Sequence, residues 1–457
     1  MKELKISTSW IRGVVGEALT PELAVNFACA FGTWAEGGPV AICRDTRRSS
    51  PMLRAAVAAG LMSTGCEVID IGVCSTPLLS FAVRELGCSG GIAITGSHND
   101  ARWNALKFLG PDGPLLNPAK GEELLDIYHA SSFAAAALTR APAPMVEPNF
   151  EPRYLEHLLS SLDLDPIRAR GFRVALDFCN GVCAGIAAEF LTKLGCTLVP
   201  VNAEATGDFA HAPAPAPANM GELARRTLES KADLGAAFNI DGDRVAFVQE
   251  KGIPLSEEYT LPLAALSRLA RRPGTVVTNL STSRMIESLA HRCGQSVTRT
   301  AVGESYVMDR GLEEGAVLAG EGSGGVAALP VSMTFDALLT LGMVLETMAT
   351  SSASLAELVG QLPVFAMRKG EIPCLPDQAY RTLEYFRLCH DGRSPDCTDG
   401  VRVEWADAWL HVRVSNTEPL VRVIVEAESE GRAGSLFAEA MELARRALAG
   451  SRGAHHA

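Results

Sequence analysis

Three stretches of the chain repeat one alternation of apolar and amphipathic segments. In the first, over residues 39–72, a buried-strand pattern, an amphipathic-helix pattern and a second strand pattern follow one another. Residues 172–202 and 275–303 repeat this order. Each helical pattern ends at a glycine, a typical helix stop (Gly65, Gly195 and Gly294). Short apolar strands that alternate with helices predict α/β layers.

Each repeat then adds another apolar strand that ends in a glycine-rich polar loop. The three segments are GGIAITGSHND, ADLGAAFNIDGDR and GAVLAGEGSGG. Ligands of open α/β sheets bind outside the strand ends. We therefore expect these three loops to face one shared cleft.

The pattern changes after about residue 365, where antiparallel strands and a closing amphipathic helix predict a smaller α+β domain. An alanine- and proline-rich linker lies near residues 138–148, and residues 211–220 predict an extended loop inside the second domain. The predicted domains carry, in order, the Ser97 loop, an acidic loop, a glycine-rich loop and a phosphate-binding turn (1–148, 149–249, 250–365 and 366–457).

Composition excludes several classes of protein. The 457 residues are 47% apolar and 21% charged, which is typical of a soluble globular protein. No apolar run is long enough to span a bilayer, and the opening residues lack a signal-peptide pattern, so we expect a cytoplasmic protein. The twelve cysteines form no C-x-x-C pair, and we expect reduced, buried thiols.

The net charge of −12 argues against nucleic-acid binding. It also gives no long-range attraction for an anionic ligand. A phosphorylated substrate must therefore be captured by local arginines and lysines.

The first loop, residues 95–100, places Ser97 on a tight turn after a strand, with His98 beside it. Such a serine can serve as a nucleophile or a phosphate carrier. Lys107 follows and can steady a negative group. The same composition also suits an ordinary turn.

The second loop carries Asn239, Asp241 and Asp243, followed by Arg244. Oxygen side chains at alternate positions can converge on a hard cation, and so few protein oxygens favour Mg²⁺ completed by a phosphate oxygen. A plain hairpin turn is the alternative.

The third and fourth loops suit the two ends of a phosphosugar. Glu321 and Ser323 can hydrogen-bond sugar hydroxyls from a glycine-rich frame. The fourth loop offers guanidinium, hydroxyl and amide groups for a phosphate (Arg413, Ser415, Asn416, Thr417 and the later Arg422). Together the four loops meet the needs of phosphoryl transfer on a phosphosugar.

With these motifs in order, nearly the whole chain resembles the α-D-phosphohexomutases, which include phosphoglucomutase, phosphomannomutase and phosphoglucosamine mutase. The resemblance rests on WIRGVVGE, CRDTR, TGSHND with NALK, DGDR, GEGSGG and RVSNTEPLVRV. It implies three related α/β/α domains with mixed sheets and a mobile, smaller α+β domain around a deep cleft. It also implies Mg²⁺, a sugar 1,6-bisphosphate activator, a hexose phosphate substrate, and a monomer or homodimer.

The resemblance also assigns roles to residues. It makes Ser97 the phosphoryl carrier, with Asn239, Asp241 and Asp243 on the metal positions. Basic and catalytic residues of the cleft follow from the same motifs (Arg12, His98, Lys107 and Arg244). It assigns the contacts with the sugar and its phosphate to the third and fourth loops (Glu321, Ser323, Arg413, Ser415, Asn416, Thr417 and Arg422).

Five positions depart from the family pattern. Asn239 replaces a metal carboxylate, Ile240 replaces a glycine, and Gly325 replaces a histidine near the reacting oxygens. Asp100 and Ala105 replace a proline and a glycine. The general base therefore stays open between Lys107 and His98.

Three functions follow from these observations. The leading one is a mutase that moves a phosphoryl group between the 1- and 6-positions of a hexose phosphate, through phosphoserine and a bisphosphorylated sugar. The second is a phosphosugar-binding homologue with weakened or lost catalysis. The third is an enzyme that makes or hydrolyses a sugar bisphosphate.

Overall fold

The computed structural model describes residues 4–136, 149–415 and 419–450. Four sheets follow one another along the chain, three with helices on both sides and a fourth of antiparallel strands. The predicted α/β fold with a smaller α+β region at the end is confirmed. Within the described residues, no helix is both long and apolar enough to cross a membrane.

The first region builds a six-stranded mixed sheet in the order β1-β2-β6-β5-β3-β4. Its strands are β1 (Leu4–Ile6), β2 (Trp10–Val14), β3 (Val40–Arg44), β4 (Val68–Val73), β5 (Gly90–Ile94) and β6 (Trp103–Leu109). Its helices are α1 (Pro21–Trp34), α2 (Ser50–Ser63), α3 (Thr76–Glu85) and α4 (Pro118–Ala130).

The second region builds a four-stranded sheet in the order β10-β9-β7-β8. Its strands are β7 (Arg173–Asp177), β8 (Thr197–Val201), β9 (Leu234–Phe238) and β10 (Val245–Gln249). Its helices are α5 (Glu151–Ser160), α6 (Leu164–Arg170), α7 (Ala184–Lys193) and α8 (Gly221–Glu229).

The third region has the strand order β12-β11-β13-β14. Its strands are β11 (Val276–Asn279), β12 (Val297–Thr300), β13 (Leu318–Gly320) and β14 (Val326–Ala328). Its helices are α9 (Thr260–Arg271), α10 (Met285–Arg292), α11 (Glu304–Glu313), α12 (Ala337–Ser351) and α13 (Leu355–Gly360).

The repeat seen in the sequence is a repeat of topology. The orders β6-β5-β3-β4, β10-β9-β7-β8 and β14-β13-β11-β12 are equivalent, with three parallel strands and one antiparallel strand each. The three predicted helix-stop glycines all have positive φ, at 93°, 68° and 67°. Each candidate loop joins the last parallel strand to the antiparallel one, so the three loops are equivalent in the fold.

The fourth region is an antiparallel sheet in the order β15-β18-β17-β16. Its elements are β15 (Ala366–Pro373), α14 (Pro376–Cys389), β16 (Val401–Glu404), β17 (Ala408–Val414), β18 (Leu420–Ala427) and α15 (Glu430–Gly450). This region packs around a hydrophobic core of its own, whereas one continuous core runs through the first three regions.

Polar contacts join the fourth region to the third. Lys369 on β15 pairs with Glu257 and Glu258, at 2.9 and 2.8 Å. His411 on β17 shares a 2.9 Å hydrogen bond with Ser281. These contacts join β15 and β17 to the third region. Each sheet lies within one predicted domain, while the domain limits themselves stay predictions.

The sequence reading differs from the structure in some details. The sequence patterns did not single out β1, β2, β6 or β15, because β1 has only three residues and the other three mix polar and apolar residues without regular alternation. All twelve cysteines are free thiols, as expected, but Cys293, Cys389 and Cys397 are exposed, and Cys196 and Cys374 are only partly buried.

Candidate active site

Ser97 lies on the turn between β5 and β6 and is almost fully buried, with 2% of its surface exposed. Its φ of 49° places it in the left-handed region, which non-glycine residues rarely adopt. Its N–H donates to Thr95 Oγ1 at 3.0 Å, and its Oγ accepts a hydrogen bond from Asn239 Nδ2 at 3.1 Å. A strained turn therefore aims the hydroxyl at the acidic loop.

Arg47 fixes this turn from behind. Its guanidinium donates to the carbonyl oxygen of Ser97 at 3.1 Å and also to that of Asn99. Asp45 pairs with Arg47, and both side chains are fully buried. Gly96 is required here because a Cβ would meet the Arg47 guanidinium at 2.8 Å.

Lys107 reaches the acidic loop from β6. Its ammonium lies 2.6 Å from Asp241 Oδ2 and 2.6 Å from Asp243 Oδ2. Burial opposes the charge on Lys107, but the two carboxylates outweigh it and raise the lysine pKa. Burial likewise disfavours the ionised form of Asp241, yet Lys107 outweighs that effect and lowers its pKa. Lys107 and Asp241 are therefore both charged at neutral pH.

The orientation of Asn239 is set by the backbone. Its Oδ1 accepts hydrogen bonds from the N–H groups of Asp243 and Arg244, both at 3.1 Å. Because two donors demand an oxygen there, the amide nitrogen must face the other way. It lies 3.0 Å from Asp241 Oδ1 and 2.5 Å from Asp243 Oδ1.

This orientation bears on the fit of a divalent cation. Asp241 and Asp243 are suitable hard oxygen ligands for Mg²⁺, which is usually held by one or two carboxylates and phosphate oxygens. Asn239 presents N–H groups to the same space, so its predicted role as a metal ligand runs against this geometry. Among the described residues, no cluster of three or more His, Cys, Asp or Glu side chains has the arrangement of a metal site.

The cationic groups of Arg12 and Arg244 line the same cavity as Ser97. Arg12 is 4% exposed, and its guanidinium lies 4.7 Å from the Trp10 ring centre. Burial, followed by the neighbouring Arg244, lowers the Arg12 pKa to about 10, so it remains charged at neutral pH. The pKa of His98 falls well below its usual value, first through burial and then through Arg244 and Arg12, so His98 is neutral.

The third loop is organised around Glu321. Glu321 Oε1 accepts hydrogen bonds from Asn279 Nδ2 at 2.7 Å and from the Gly303 N–H at 2.8 Å. Glu321 Oε2 accepts one from Ser323 Oγ at 3.3 Å. The carboxylate is thereby fixed before any ligand binds.

The fourth loop holds Arg413 at the end of β17, 4% exposed. Its Nε lies 3.0 Å from Asp399 Oδ2, while its Nη2 is buried without a hydrogen-bond partner among the described residues. An unpaired buried guanidinium nitrogen is costly, which suits a site that an anion completes. Asn416 and Thr417 lie outside the described residues.

A single cavity brings most of the predicted residues together. Its lining includes eleven of them (Arg12, Ser97, His98, Lys107, Asp243, Arg244, Glu321, Ser323, Arg413, Ser415 and Arg422). Asn239 and Asp241 are buried beside Ser97 and are not part of the lining. The loops of all four sheets thus meet in one cleft.

Glu304 is a cleft residue that the sequence reading missed. It is the first residue of α11 and lines the same cavity as Ser97 and Lys107. One of its oxygens accepts the Phe335 N–H at 3.0 Å. Burial, followed by repulsion from Asp243, raises its pKa to about 8. No motif marked it, because a helix-start glutamate is common.

The position of the Phe335 ring also explains why residue 325 is a glycine. A Cβ at Gly325 would lie 2.2 Å from the Phe335 ring, so this position has no room for a side chain. The same phenylalanine fixes Glu304 through its backbone. The site therefore lacks an imidazole at residue 325 but has a carboxyl group with a near-neutral pKa at residue 304.

Comparisons with known proteins agree along the whole chain. Four family models match in order, phosphoglucomutase/phosphomannomutase alpha/beta/alpha domains I, II and III and the C-terminal domain, over residues 3–135, 152–252, 257–365 and 378–443. A probable phosphoglucosamine mutase of Methanopyrus kandleri is 36% identical, with 96% of this chain and 98% of that protein covered. A phosphoglucomutase/phosphomannomutase of Thermococcus kodakarensis is 32% identical, covering 97% and 99%.

Solved structures give the same result. A phosphoglucomutase/phosphomannomutase family protein of Burkholderia thailandensis superposes with a TM-score of 0.84 at 28% identity, covering 96% of this chain and 98% of that one. A putative phosphomannomutase of Thermus thermophilus gives 0.83 at 26% identity, covering 97% and 100%. The chain thus belongs to the α-D-phosphohexomutase family, whose members are phosphomutases, intramolecular phosphotransferases of the isomerase class.

Proposed function

We propose that the protein moves a phosphoryl group between the 1- and 6-positions of a hexose phosphate, with Ser97 as the carrier. The observation that supports this most is the shared cavity, whose lining includes both the strained, buried Ser97 and Arg413, whose Nη2 has no hydrogen-bond partner among the described residues. A phosphosugar that spans the cavity can present one end to Ser97 while Arg413 holds the phosphate at the other.

The phosphoryl transfer proceeds in two steps. A sugar hydroxyl oxygen bonds to the phosphorus as the bond to Ser97 Oγ breaks; the hydroxyl loses its proton, and Ser97 Oγ gains one. The resulting sugar bisphosphate then reorients in the cavity, and its other phosphoryl group returns to Ser97 by the reverse step. Arg12 and Arg244 stabilise the charge on the transferring group.

Glu304 is the group best placed to exchange the proton. It faces the same cavity, is fixed by Phe335, and titrates near neutral pH, which suits a general acid and base. Neutral His98 is a second acceptor, whereas Lys107 is held by two carboxylates.

The cofactors we propose are Mg²⁺ and a sugar 1,6-bisphosphate that primes Ser97. Asp241, Asp243 and the phosphoryl oxygens on Ser97 would hold the cation, which offsets phosphoryl charge when bound. Asn239 would contact the phosphoryl group through its N–H donors.

The substrate is a hexose phosphate, and its sugar is the finer question. The relatives are named for glucosamine, glucose and mannose phosphates. A coupled assay with glucose, mannose and glucosamine phosphates, each with its bisphosphate, tests the proposal. Turnover of at least one of these sugar phosphates supports the proposal. Tight binding of all three without turnover would favour the alternative, a phosphosugar-binding homologue, which the Asn239 and Gly325 departures suggest.

A further inference from the structure

The donors around Asp241 and Asp243 leave none of their carboxylate oxygens free. Asp241 Oδ2 accepts hydrogen bonds from Lys107 Nζ and from Thr76 Oγ1, at 2.6 and 2.9 Å, and its Oδ1 accepts one from Asn239. Asp243 is bonded in the same way, by Lys107 on one oxygen and Asn239 on the other. Every carboxylate oxygen of Asp241 and Asp243 thus has a hydrogen-bond donor within the chain.

The two main donors differ in how easily they can leave. Asn239 cannot turn its oxygen inward, because two backbone N–H groups hold that oxygen in place. Lys107 is an ammonium on a flexible four-carbon stem, and it lines the cavity that Ser97 also lines. A cation can therefore enter only if the lysine moves.

Charge balance decides when that movement is favourable. Lys107, Asp241 and Asp243 together carry a formal charge of −1, so a divalent cation that joined all three would leave the group with a charge of +1. A phosphoryl group on Ser97 adds about two negative charges. Buried negative charge needs compensation, so the phosphorylated site has room for both the lysine and a divalent cation.

We propose that Lys107 and Asn239 form an internal lock on the acidic loop, which keeps a divalent cation off Asp241 and Asp243 until Ser97 carries a phosphoryl group. Phosphorylation gives Lys107 and the Asn239 amide a new acceptor beside Ser97 Oγ, which already lies 3.1 Å from Asn239 Nδ2. The lysine then shifts to the phosphoryl oxygens and releases the carboxylates. The release of the carboxylates on phosphorylation rests on the proposed function, whereas the hydrogen bonds of Lys107 and Asn239 that block the cation do not.

The test is Mn²⁺ binding to the full chain, followed by electron paramagnetic resonance, with Mn²⁺ as the spectroscopic probe for a Mg²⁺ site. Intact-protein mass spectrometry establishes which samples are unphosphorylated and which are phosphorylated. We expect Mn²⁺ to bind the phosphorylated form at least tenfold more tightly. Equal affinity in the two forms would overturn the proposal.

Asn239→Asp tests the lock without phosphorylation. The isosteric change removes the amide donors and adds an oxygen, so the unphosphorylated variant should bind Mn²⁺ at least tenfold more tightly than the unphosphorylated wild type. Asn26→Asp is the matched control, because it adds the same charge on α1 at a residue outside the cavity lining. It should leave the affinity unchanged.

A thermal melt of the same proteins gives a readout apart from activity. Mn²⁺ should raise the melting temperature of unphosphorylated Asn239→Asp but not that of the unphosphorylated wild type, since a ligand stabilises only the fold it binds. An unphosphorylated wild type that binds Mn²⁺ as tightly as Asn239→Asp would refute the lock. If Ser97 accepts no phosphoryl group, the proposed function fails, and the Asn239→Asp comparison still decides the lock.

Discussion

The ammonium of Lys107 lies 2.6 Å from Asp241 Oδ2, although the two residues belong to different regions of the fold and are separated by 134 positions. This contact ties β6 of the first sheet to the loop after β9 of the second. The same loop is held by Thr76 at the start of α3, whose N–H and hydroxyl both bond Asp241. The chemistry of the cleft is therefore assembled between domains.

Arg413→Ala should weaken hexose phosphate binding by roughly 1.5–3 kcal/mol, because it removes a charge-assisted hydrogen bond to the phosphate. Isothermal titration calorimetry measures this loss. Mn²⁺ affinity of the phosphorylated form should not change. Arg432→Ala is the control, since Arg432 pairs with Asp407 outside the cavity lining. Equal loss of both affinities in Arg413→Ala would indicate a folding defect and count against the assignment.

Glu304→Gln should reduce turnover by about 10²-fold or more, because the amide cannot exchange a proton. The wild-type pH–rate profile should show an ionisation near pH 8 that is missing in the variant. Glu313→Gln, on the same helix and on the surface, is the control. An unchanged profile in Glu304→Gln would remove Glu304 from the proton transfer.

The same ionisation should affect stability. The raised pKa means that folded protein binds this proton more tightly than unfolded protein does. Wild-type stability should therefore fall as the pH rises from about 4.5 to about 8, and this fall should be smaller in Glu304→Gln. Thermal unfolding across that range measures the difference, and parallel curves would contradict the prediction.

His211 should contribute a pH-dependent clamp on the loop after β8. Its Nε2 lies 3.0 Å from Asp177 Oδ2, and hydrogen bonds to Asp177 and then Cys179 raise its pKa to about 11. The stabilisation should be complete below the unfolded pKa of about 6.5 and disappear as the pH rises through about 11. His211→Ala should cost on the order of 1 kcal/mol at pH 6 and progressively less at higher pH.

The loop that His211 stabilises also contacts Arg47, which holds the Ser97 turn. The loop that His211 closes carries Phe209, whose ring lies 4.9 Å from the Arg47 guanidinium behind Ser97. His211→Asn, which keeps a hydrogen-bonding group but no titration, is the comparison. A stability difference that did not vary with pH would rule out the charged imidazole as the cause.

The sequence predicted the three repeats because glycine stops and buried strands have strong local signals. Gly65, Gly195 and Gly294 all adopt positive φ as expected, and the three loops meet in one cavity. Spacing and order along the chain were sufficient for this part of the fold.

The orientation of individual groups was beyond the sequence. Whether Asn239 presents oxygen or nitrogen depends on two backbone N–H groups that exist only in the folded turn. Glu304 enters the cleft because α11 begins there, and Gly325 makes sense only beside Phe335. Such features arise from packing between distant segments, which one-dimensional patterns do not record.

Phosphorylation of Ser97 is the claim on which the other proposals most depend. Treatment with a hexose 1,6-bisphosphate should place one phosphoryl group on Ser97 and on no other residue. Ser97→Ala should abolish turnover and, because it removes the phosphoryl oxygens, reduce the divalent-cation affinity found after bisphosphate treatment.

The most direct measurement is mass spectrometry of the intact protein and its peptides after bisphosphate treatment, alongside the mutase assay. The account predicts one added phosphoryl group on the Ser97 peptide and turnover in the same sample. An active mutase with no phosphate on Ser97 would contradict it.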